Sequence, residues 1–212
     1  MMHIEVAEHP LLELGVLHAT FPARLGEIES PPWLRELLAL DAEAPLERDE
    51  ECRVQVRKLL RHGGYKPTGR GKPASEYLVR AAGEGELDSI NASVDICNAV
   101  SLHSGLPISV VDTGLATAPL SVAIAGENTS YVFNASGQEI RLDGLLCLSD
   151  GEGLCANGVK DSQRTKTNDA SREALSLIWG TSALPGRTAA ALEWYAGLLV
   201  KAGITDVEFE VR

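Results

Sequence analysis

The sequence predicts an α+β fold, in which helices precede and follow a strand-rich middle. Helix start and stop signals dominate the chain before residue 105, and short β-type runs separated by turn residues follow between 108 and 148. The 212 residues are 44% hydrophobic and 23% charged, close to an average globular chain. Such a chain can bury one substantial core, which excludes a disordered, collagenous or disulfide-stapled protein.

The first part of the chain predicts strands and then two helices. Residues 4–26 alternate weakly and predict one or two strands ending near Phe21. Ser30 precedes two prolines and marks a helix start. A second helix is predicted over residues 46–60, with a glycine pair at 63–64 to stop it.

A loop rich in glycine, proline and basic residues covers 64–73, and two more helices are predicted over 74–82 and 92–104. Glycine at 83 and at 105 ends these helices.

Beyond residue 105 the pattern changes to strands. Runs rich in β-branched and aliphatic residues predict strands at 108–112, 121–125, 130–133, 139–142 and 145–148. Helices are then predicted over 171–179 and 188–202. Residues 206–211 alternate with period two and predict a closing strand.

Charge is unevenly distributed along the chain. The net charge is −11 and the pI about 4.9, which argues against a protein that coats DNA or membranes. Residues 53–80 nevertheless hold eight basic residues against one acid, a net +7 that leaves −18 for the rest. A basic segment in an acidic protein is a candidate phosphate-binding surface. The alternative is that these cations pair with acids elsewhere in the chain.

Several functional classes lack their motifs. The N-terminus shows no signal-peptide pattern and no apolar run reaches membrane-spanning length, so we expect a cytoplasmic protein with no membrane partner. The four cysteines form no C-x-x-C pair, which predicts reduced, buried thiols and no metal. Proline follows Lys72 where a phosphate loop needs serine or threonine, and no dinucleotide fingerprint occurs, so no cofactor is predicted.

One polar stripe lies on the predicted helix at 92–104. Asn91, Asp95 and Asn98 share a face, and Asn98 adjoins the apolar stripe that contains Val94 and Cys97. A partly buried asparagine needs partners, and it can hold the carbonyl or ammonium group of a ligand. The alternative is an ordinary solvated helix face.

Residues 90–112 carry a recognisable pattern. They read I-N-x-x-V-D-I-x-N-x-V-x-L-x-x-G-x-P-I-x-x-x-D, which resembles the signature of the B3/B4 domain, the editing module in the β subunit of bacterial phenylalanyl-tRNA synthetase. Residues 161–167 resemble the R-D-x-x-R-T-x-x-T stretch of free-standing family members. The resemblance is strongest over residues 50–180, and we interpret residues 1–212 as a single domain of this type.

The resemblance implies a three-layer α/β fold of the PheT/TilS-like type, with an unusual β-sandwich core flanked by helices. It also implies a pocket in which a wrongly attached amino acid is hydrolysed from tRNA. Such a second site exists because a hydrophobic synthetic pocket rejects a substrate with one added hydroxyl only weakly. The chain has no acyl-adenylate-forming domain, so it is expected to be a detached editing module.

The family's pocket residues carry over incompletely. Asn98 matches the asparagine of a Thr-Asn pair, Cys97 replaces the threonine, and Ser109 stands at the position of a histidine. Val159-Lys160 replaces a usual Trp-Arg pair.

We therefore predict three groups of site residues. The catalytic candidates are Asn98, Ser109 and Asp95. The substrate-binding candidates are Cys97, Arg164 and Thr165. The tRNA-binding candidates are Arg57, Arg61, Lys66 and Arg70. For Asp95 a helix cap, for Arg164 a salt bridge and for Cys97 plain packing are the structural alternatives.

The predicted partner is the aminoacylated 3′ end of tRNA, not DNA. Two alternatives stay open at this point: a non-catalytic module that binds tRNA, an amino acid or a small metabolite, and a hydrolase of small esters or amides. The amino acid, the tRNA and the oligomeric state are not defined by the sequence.

Overall fold

The computed structural model describes residues 2–212, which form five α-helices and ten strands. The helices are α1 (Pro32–Glu36), α2 (Glu50–Arg61), α3 (Ala74–Glu84), α4 (Ala92–Ser104) and α5 (Arg187–Lys201). The strands are β1 (Ile4–Val6), β2 (Leu12–Thr20), β3 (Ile108–Asp112), β4 (Leu120–Ile124), β5 (Ser130–Val132), β6 (Glu139–Arg141), β7 (Leu146–Asp150), β8 (Gly153–Asn157), β9 (Glu173–Thr181) and β10 (Asp206–Val211).

Two four-stranded sheets and the helices make three layers. The first sheet has the order β1-β4-β7-β8, the second the antiparallel order β10-β2-β9-β3, and β5 and β6 form a separate ribbon. In β2, Leu14 and Val16 pack in a cluster shared with the first sheet, whereas Leu17 and Ala19 pack against the helices. The second sheet is thus the middle layer, which confirms the predicted α+β, three-layer architecture with a sandwich core.

The helix predicted over residues 171–179 is wrong, because strand β9 occupies most of that range. It pairs with β2 on one side and β3 on the other, and every residue from Ala174 to Thr181 is buried. A strand covered on both faces reads as a continuous apolar run, so its period of two is hidden in the sequence. Strand β8, which the sequence analysis did not predict, forms a hairpin with β7.

Helix α4 begins and ends where predicted. The Asn91 side chain accepts a hydrogen bond from the Val94 amide at 3.0 Å, and Gly105 ends the helix in the left-handed conformation at φ 73°. Of its 13 residues, Val94 and Asn98 alone are not buried. Val94 and Asn98 therefore mark the part of this central helix that solvent reaches.

Two further predictions, reduced and buried cysteines and the absence of a membrane-spanning segment, concern the whole chain. All four cysteines are buried and free of disulfides. Across residues 2–212, no helix combines the length and the apolar character needed to cross a bilayer.

Candidate functional site

Asn98 is the predicted catalytic residue best placed to meet a ligand. It is half-buried, and its amide makes no hydrogen bond to any residue between 2 and 212. The adjacent Cys97 is 7% exposed, and burial raises the pKa of its thiol far above the ordinary value. Cys97 therefore stays a thiol at neutral pH, as expected of a packing residue, and Asn98 keeps its full hydrogen-bonding capacity.

Asp161 is the carboxylate whose charge acts on the Cys97 thiol. The sequence analysis gave this residue no role. Its charge contributes to the raised pKa of the Cys97 thiol, so it acts electrostatically on that turn of α4. Its Oδ1 accepts from the Asn157 amide and its Oδ2 from the Val110 amide, each at 3.2 Å. Dense protein surrounds the carboxylate, yet part of the residue remains open to solvent.

This environment raises the pKa of Asp161 to about 6. The main cause is burial, which penalises the charged form; the nearby Ser109 hydroxyl, the hydrogen bonds from the two backbone amides and the charge of Lys166 oppose it. Such a group is ionised at pH 7 and still basic enough to accept a proton from water. It is therefore a candidate general base.

Ser109 supports this carboxylate from inside the sandwich. It is fully buried; its hydroxyl donates to the Asn157 carbonyl at 2.9 Å and accepts from the Trp179 indole Nε1 at 2.9 Å. These contacts hold the segment that carries Asp161. They are those of a positioning residue, and a direct catalytic role for Ser109 stays a prediction.

Asp95 forms its hydrogen bonds with other segments of the chain, namely Ser30 and the loop before α4. This fully buried carboxylate accepts from the Ser30 and Ser89 hydroxyls, each at 2.5 Å, and from the Ile90 amide at 2.8 Å. It thereby ties the loop before α4 to the start of the helix. Its contacts fit the structural alternative.

Arg164 and Thr165 are also occupied by internal contacts. Arg164 makes two hydrogen bonds of 2.7 Å to the buried carboxylate of Asp150. Thr165 is fully buried and its hydroxyl donates to the Cys155 carbonyl at 3.4 Å. The structure does not assemble these two side chains with Asn98, and their substrate-binding role stays a prediction.

Two lysines act on or adjoin Asp161, and two aromatic rings lie beside one of them, Lys160. The Lys160 ammonium lies 4.0 Å from the centroid of the Phe133 ring and 5.6 Å from that of Tyr77. The Lys166 ammonium donates to the Phe133 carbonyl at 2.5 Å. Burial, followed by repulsion from Arg70 and Lys166, lowers the pKa of Lys160. Arg70 and Lys166 therefore both act on Lys160, and we call these three cations the Lys160 cluster.

The basic segment itself divides into paired and unpaired cations. Arg57 forms two hydrogen bonds, of 2.5 and 2.6 Å, with Glu76. Arg61, Lys66 and Arg70 are exposed, and no carboxylate in the described part of the chain lies within ion-pair distance of them. Arg57 thus follows the pairing alternative, and the other three tRNA-binding candidates are free to contact phosphates.

The chain is thus a helix-flanked β-sandwich with two partly exposed polar residues, Asn98 and Asp161, and a group of exposed cations. The family model described as B3/4 domain matches residues 66–180, more than half of the chain. The chain therefore belongs to the B3/4 domain family, and the resemblance drawn from residues 90–112 is confirmed.

Solved structures give two further comparisons. The TilS C-terminal domain aligns with 36% of this chain and 71% of its own, at 17% identity and a TM-score of 0.32. An N-terminal fragment of the phenylalanyl-tRNA synthetase beta-subunit from Pyrococcus horikoshii aligns with all of this chain at 11% identity and a TM-score of 0.46. The match spans half of that fragment. No curated protein matches significantly.

The sequence held a partial signal for Asp161. It opens the D-x-x-R-T stretch already singled out, and it follows shortly after an apolar run that ends in Asn157. The raised pKa and the approach of Lys160 and Lys166 depend on burial and on the distant β5–β6 ribbon, which no local pattern reports.

Proposed function

We propose that this protein binds the aminoacylated 3′ end of tRNA and hydrolyses the ester that links a wrongly attached amino acid to it. The observation that carries the proposal is Asp161, a partly exposed residue whose carboxyl pKa is raised to about 6 and whose charge acts on Cys97, the neighbour of the unpaired Asn98. Membership of the B3/4 domain family supports tRNA as the carrier of the ester.

The RNA is held by the Lys160 cluster and the exposed loop cations. Arg61, Lys66 and Arg70 attract phosphates, since they have no internal carboxylate partner. The Phe133 and Tyr77 rings lie beside the Lys160 ammonium, so aromatic and cationic groups are interleaved here. Cations with interleaved aromatic rings are the usual composition of sites that bind single-stranded nucleic acid.

The chemistry needs no covalent intermediate, because an aminoacyl ester is already activated. The Asp161 carboxylate takes one proton from a water molecule while the water oxygen bonds to the ester carbonyl carbon. The Asn98 amide donates to the carbonyl oxygen, which becomes negative. The bond from the carbonyl carbon to the ribose oxygen then breaks. Asp161 returns its proton to that oxygen, giving free amino acid and uncharged tRNA.

A non-catalytic module that binds the same tRNA end is the second candidate. The observation that favours it is Ser109, which occupies the position where the family resemblance implies a histidine and whose hydroxyl is engaged by Asn157 and Trp179. Such a protein would retain the cation and aromatic contacts and release no amino acid.

A deacylation assay separates the two candidates. A panel of tRNAs charged with labelled, wrong amino acids is incubated with the protein, and release of label is followed with the spontaneous rate subtracted. We expect release by the unchanged protein. Asp161→Asn should lower the rate by about 10²- to 10⁴-fold, because it removes the base. Asn98→Ala should lower it by about 10²-fold.

Asp169→Asn is the matched control, because Asp169 is an exposed aspartate on the same connection without a side-chain hydrogen bond. It should keep the full rate. Binding of the charged tRNA without release would exclude the hydrolase and support the module. Release that Asp161→Asn leaves unchanged would contradict the proposed base.

A further inference from the structure

A cavity of about 360 Å³ lies between α2 and α3, beside the C-terminal end of α4. Its volume lies in the range of small-molecule sites, about 300–1,000 Å³. Val56, Val79 and Pro73 give it an apolar wall. Neither Asn98 nor Asp161 lines it, so it is separate from the site described above.

One buried side chain in this cavity lacks a partner. Ser75 is 3% exposed and lines the cavity, and no described residue hydrogen-bonds to its hydroxyl. Ser75 lies in the first turn of α3, an 11-residue helix whose N-terminal end carries a partial positive charge. A hydroxyl that lines a cavity and has no protein partner is free to donate a hydrogen bond to the acceptor of a ligand.

The charged residues around the cavity neutralise one another with a single exception. Glu50 pairs with Arg53, Glu76 with Arg57, and Asp49 with Arg187, each at an N···O distance of 3.2 Å or less. Arg48 is half-buried and lines the cavity without a carboxylate within ion-pair distance among residues 2–212. Its one hydrogen bond, from Nη2 to the Leu40 carbonyl at 3.2 Å, leaves most of its N–H groups free.

These features define a ligand. The free guanidinium of Arg48, the Ser75 hydroxyl and the start of α3 are donors or positive. The carboxylates in the wall are each paired with an arginine, and the valines and the proline supply its apolar part. We propose that this cavity binds a small organic carboxylate with a short apolar chain, held through its carboxylate by Arg48 and Ser75. A carboxylate matches the planar guanidinium fork, and the chain would contact Val56 and Val79.

Calorimetric titration of the full chain tests the proposal with two isosteric probes, 4-methylpentanoate and 4-methylpentanamide. The carboxylate should bind about tenfold or more tightly than the amide, because charge-assisted hydrogen bonds are worth that much. Arg48→Gln should abolish this preference, and Ser75→Ala should weaken carboxylate binding a few-fold. Arg35→Gln, which changes an exposed arginine outside the cavity, should leave both affinities unaltered.

Equal affinity for the two probes, absence of carboxylate binding, or a preference that survives Arg48→Gln would overturn the proposal. If circular dichroism shows that Arg48→Gln does not fold, Val79→Trp decides, since the larger side chain fills the cavity. Loss of binding by a folded Val79→Trp supports the site, and unaltered binding refutes it.

Discussion

At the scale of single residues, two aspartates, Asp95 and Asp161, play different roles in this fold. Asp95 is sealed in the core by three donors, whereas Asp161 has both of its oxygens held by backbone amides and still reaches solvent. Burial alone therefore does not select the reactive group. The combination of burial, partial access and a raised pKa does.

Asp95→Ala should destabilise the protein without acting on chemistry directly. Removing the carboxylate leaves two hydroxyls and the Ile90 amide without their acceptor, at a cost of about 3 kcal/mol in the free energy of unfolding. Urea denaturation measures this loss. Asp88→Ala, an exposed aspartate in the same loop, should change stability by less than about 0.5 kcal/mol. A stable Asp95→Ala variant that loses deacylation would instead support the catalytic role predicted from the sequence.

The sequence predicted the polar helix face at Asn98 because its spacing is local. It could not rank Asp95, Ser109 and Asp161, because their roles depend on contacts 48 to 65 residues apart, such as Ser109 with Asn157 and Ser30 with Asp95. Arg57 illustrates the same limit. Its charge is visible in the sequence, but its pairing with Glu76 across α2 and α3 is not.

At the scale of elements, local signals located helices well where caps and periodicity agree. Helix α4 was predicted with its observed limits, and β10 likewise. Helix α2 begins at Glu50, later than the predicted 46, because the Asp49 side chain accepts from the Cys52 amide at 2.6 Å and caps the helix there. Strand β9 was taken for a helix because it is buried on both faces.

The ion pair between Arg164 and Asp150 joins the 3-10 turn at 163–165 to strand β7. The side chain of Asp150 is fully buried, so Arg164→Gln should lower the free energy of unfolding by about 2 kcal/mol. The matched control is Arg141→Gln, which breaks an exposed pair with Asp143 and should cost less than about 1 kcal/mol. Thermal or urea unfolding gives both values.

Retained deacylation by Arg164→Gln is expected where the variant is folded. If the variant keeps its stability but binds charged tRNA more weakly, Arg164 contacts the substrate, as the sequence analysis predicted, and the structural assignment is wrong.

At the scale of the whole molecule, a net charge of −11 coexists with a local group of exposed, unpaired cations. These cations are Lys58, Arg61, Lys66, Arg70 and Lys72. The acidic remainder repels nucleic acid in general, so the approach of a polyanion is favoured at this group of cations. This distribution favours one oriented encounter with RNA over non-specific coating.

The salt dependence of tRNA binding tests this division of the cations. Replacing Arg61, Lys66 and Arg70 together by glutamine should weaken binding and reduce the slope of log affinity against log salt by about 2 to 3, since each phosphate contact contributes about one unit or slightly less. Filter binding over a range of salt concentrations measures the slope. Arg57→Gln should leave it unchanged, because Glu76 already neutralises Arg57. An equal reduction by Arg57→Gln would contradict the assignment.

The pH dependence of deacylation tests the central claim, that Asp161 is the base, most directly. Since the pKa of Asp161 is raised to about 6 and only the ionised form accepts a proton, the rate should rise between pH 5 and 7 with a midpoint near 6. In Asp161→Asn the rate should be low and lose this rise, whereas Asp169→Asn should retain it. A rate that does not change across this range in the unchanged protein, or a rise with the same midpoint in Asp161→Asn, would contradict the account.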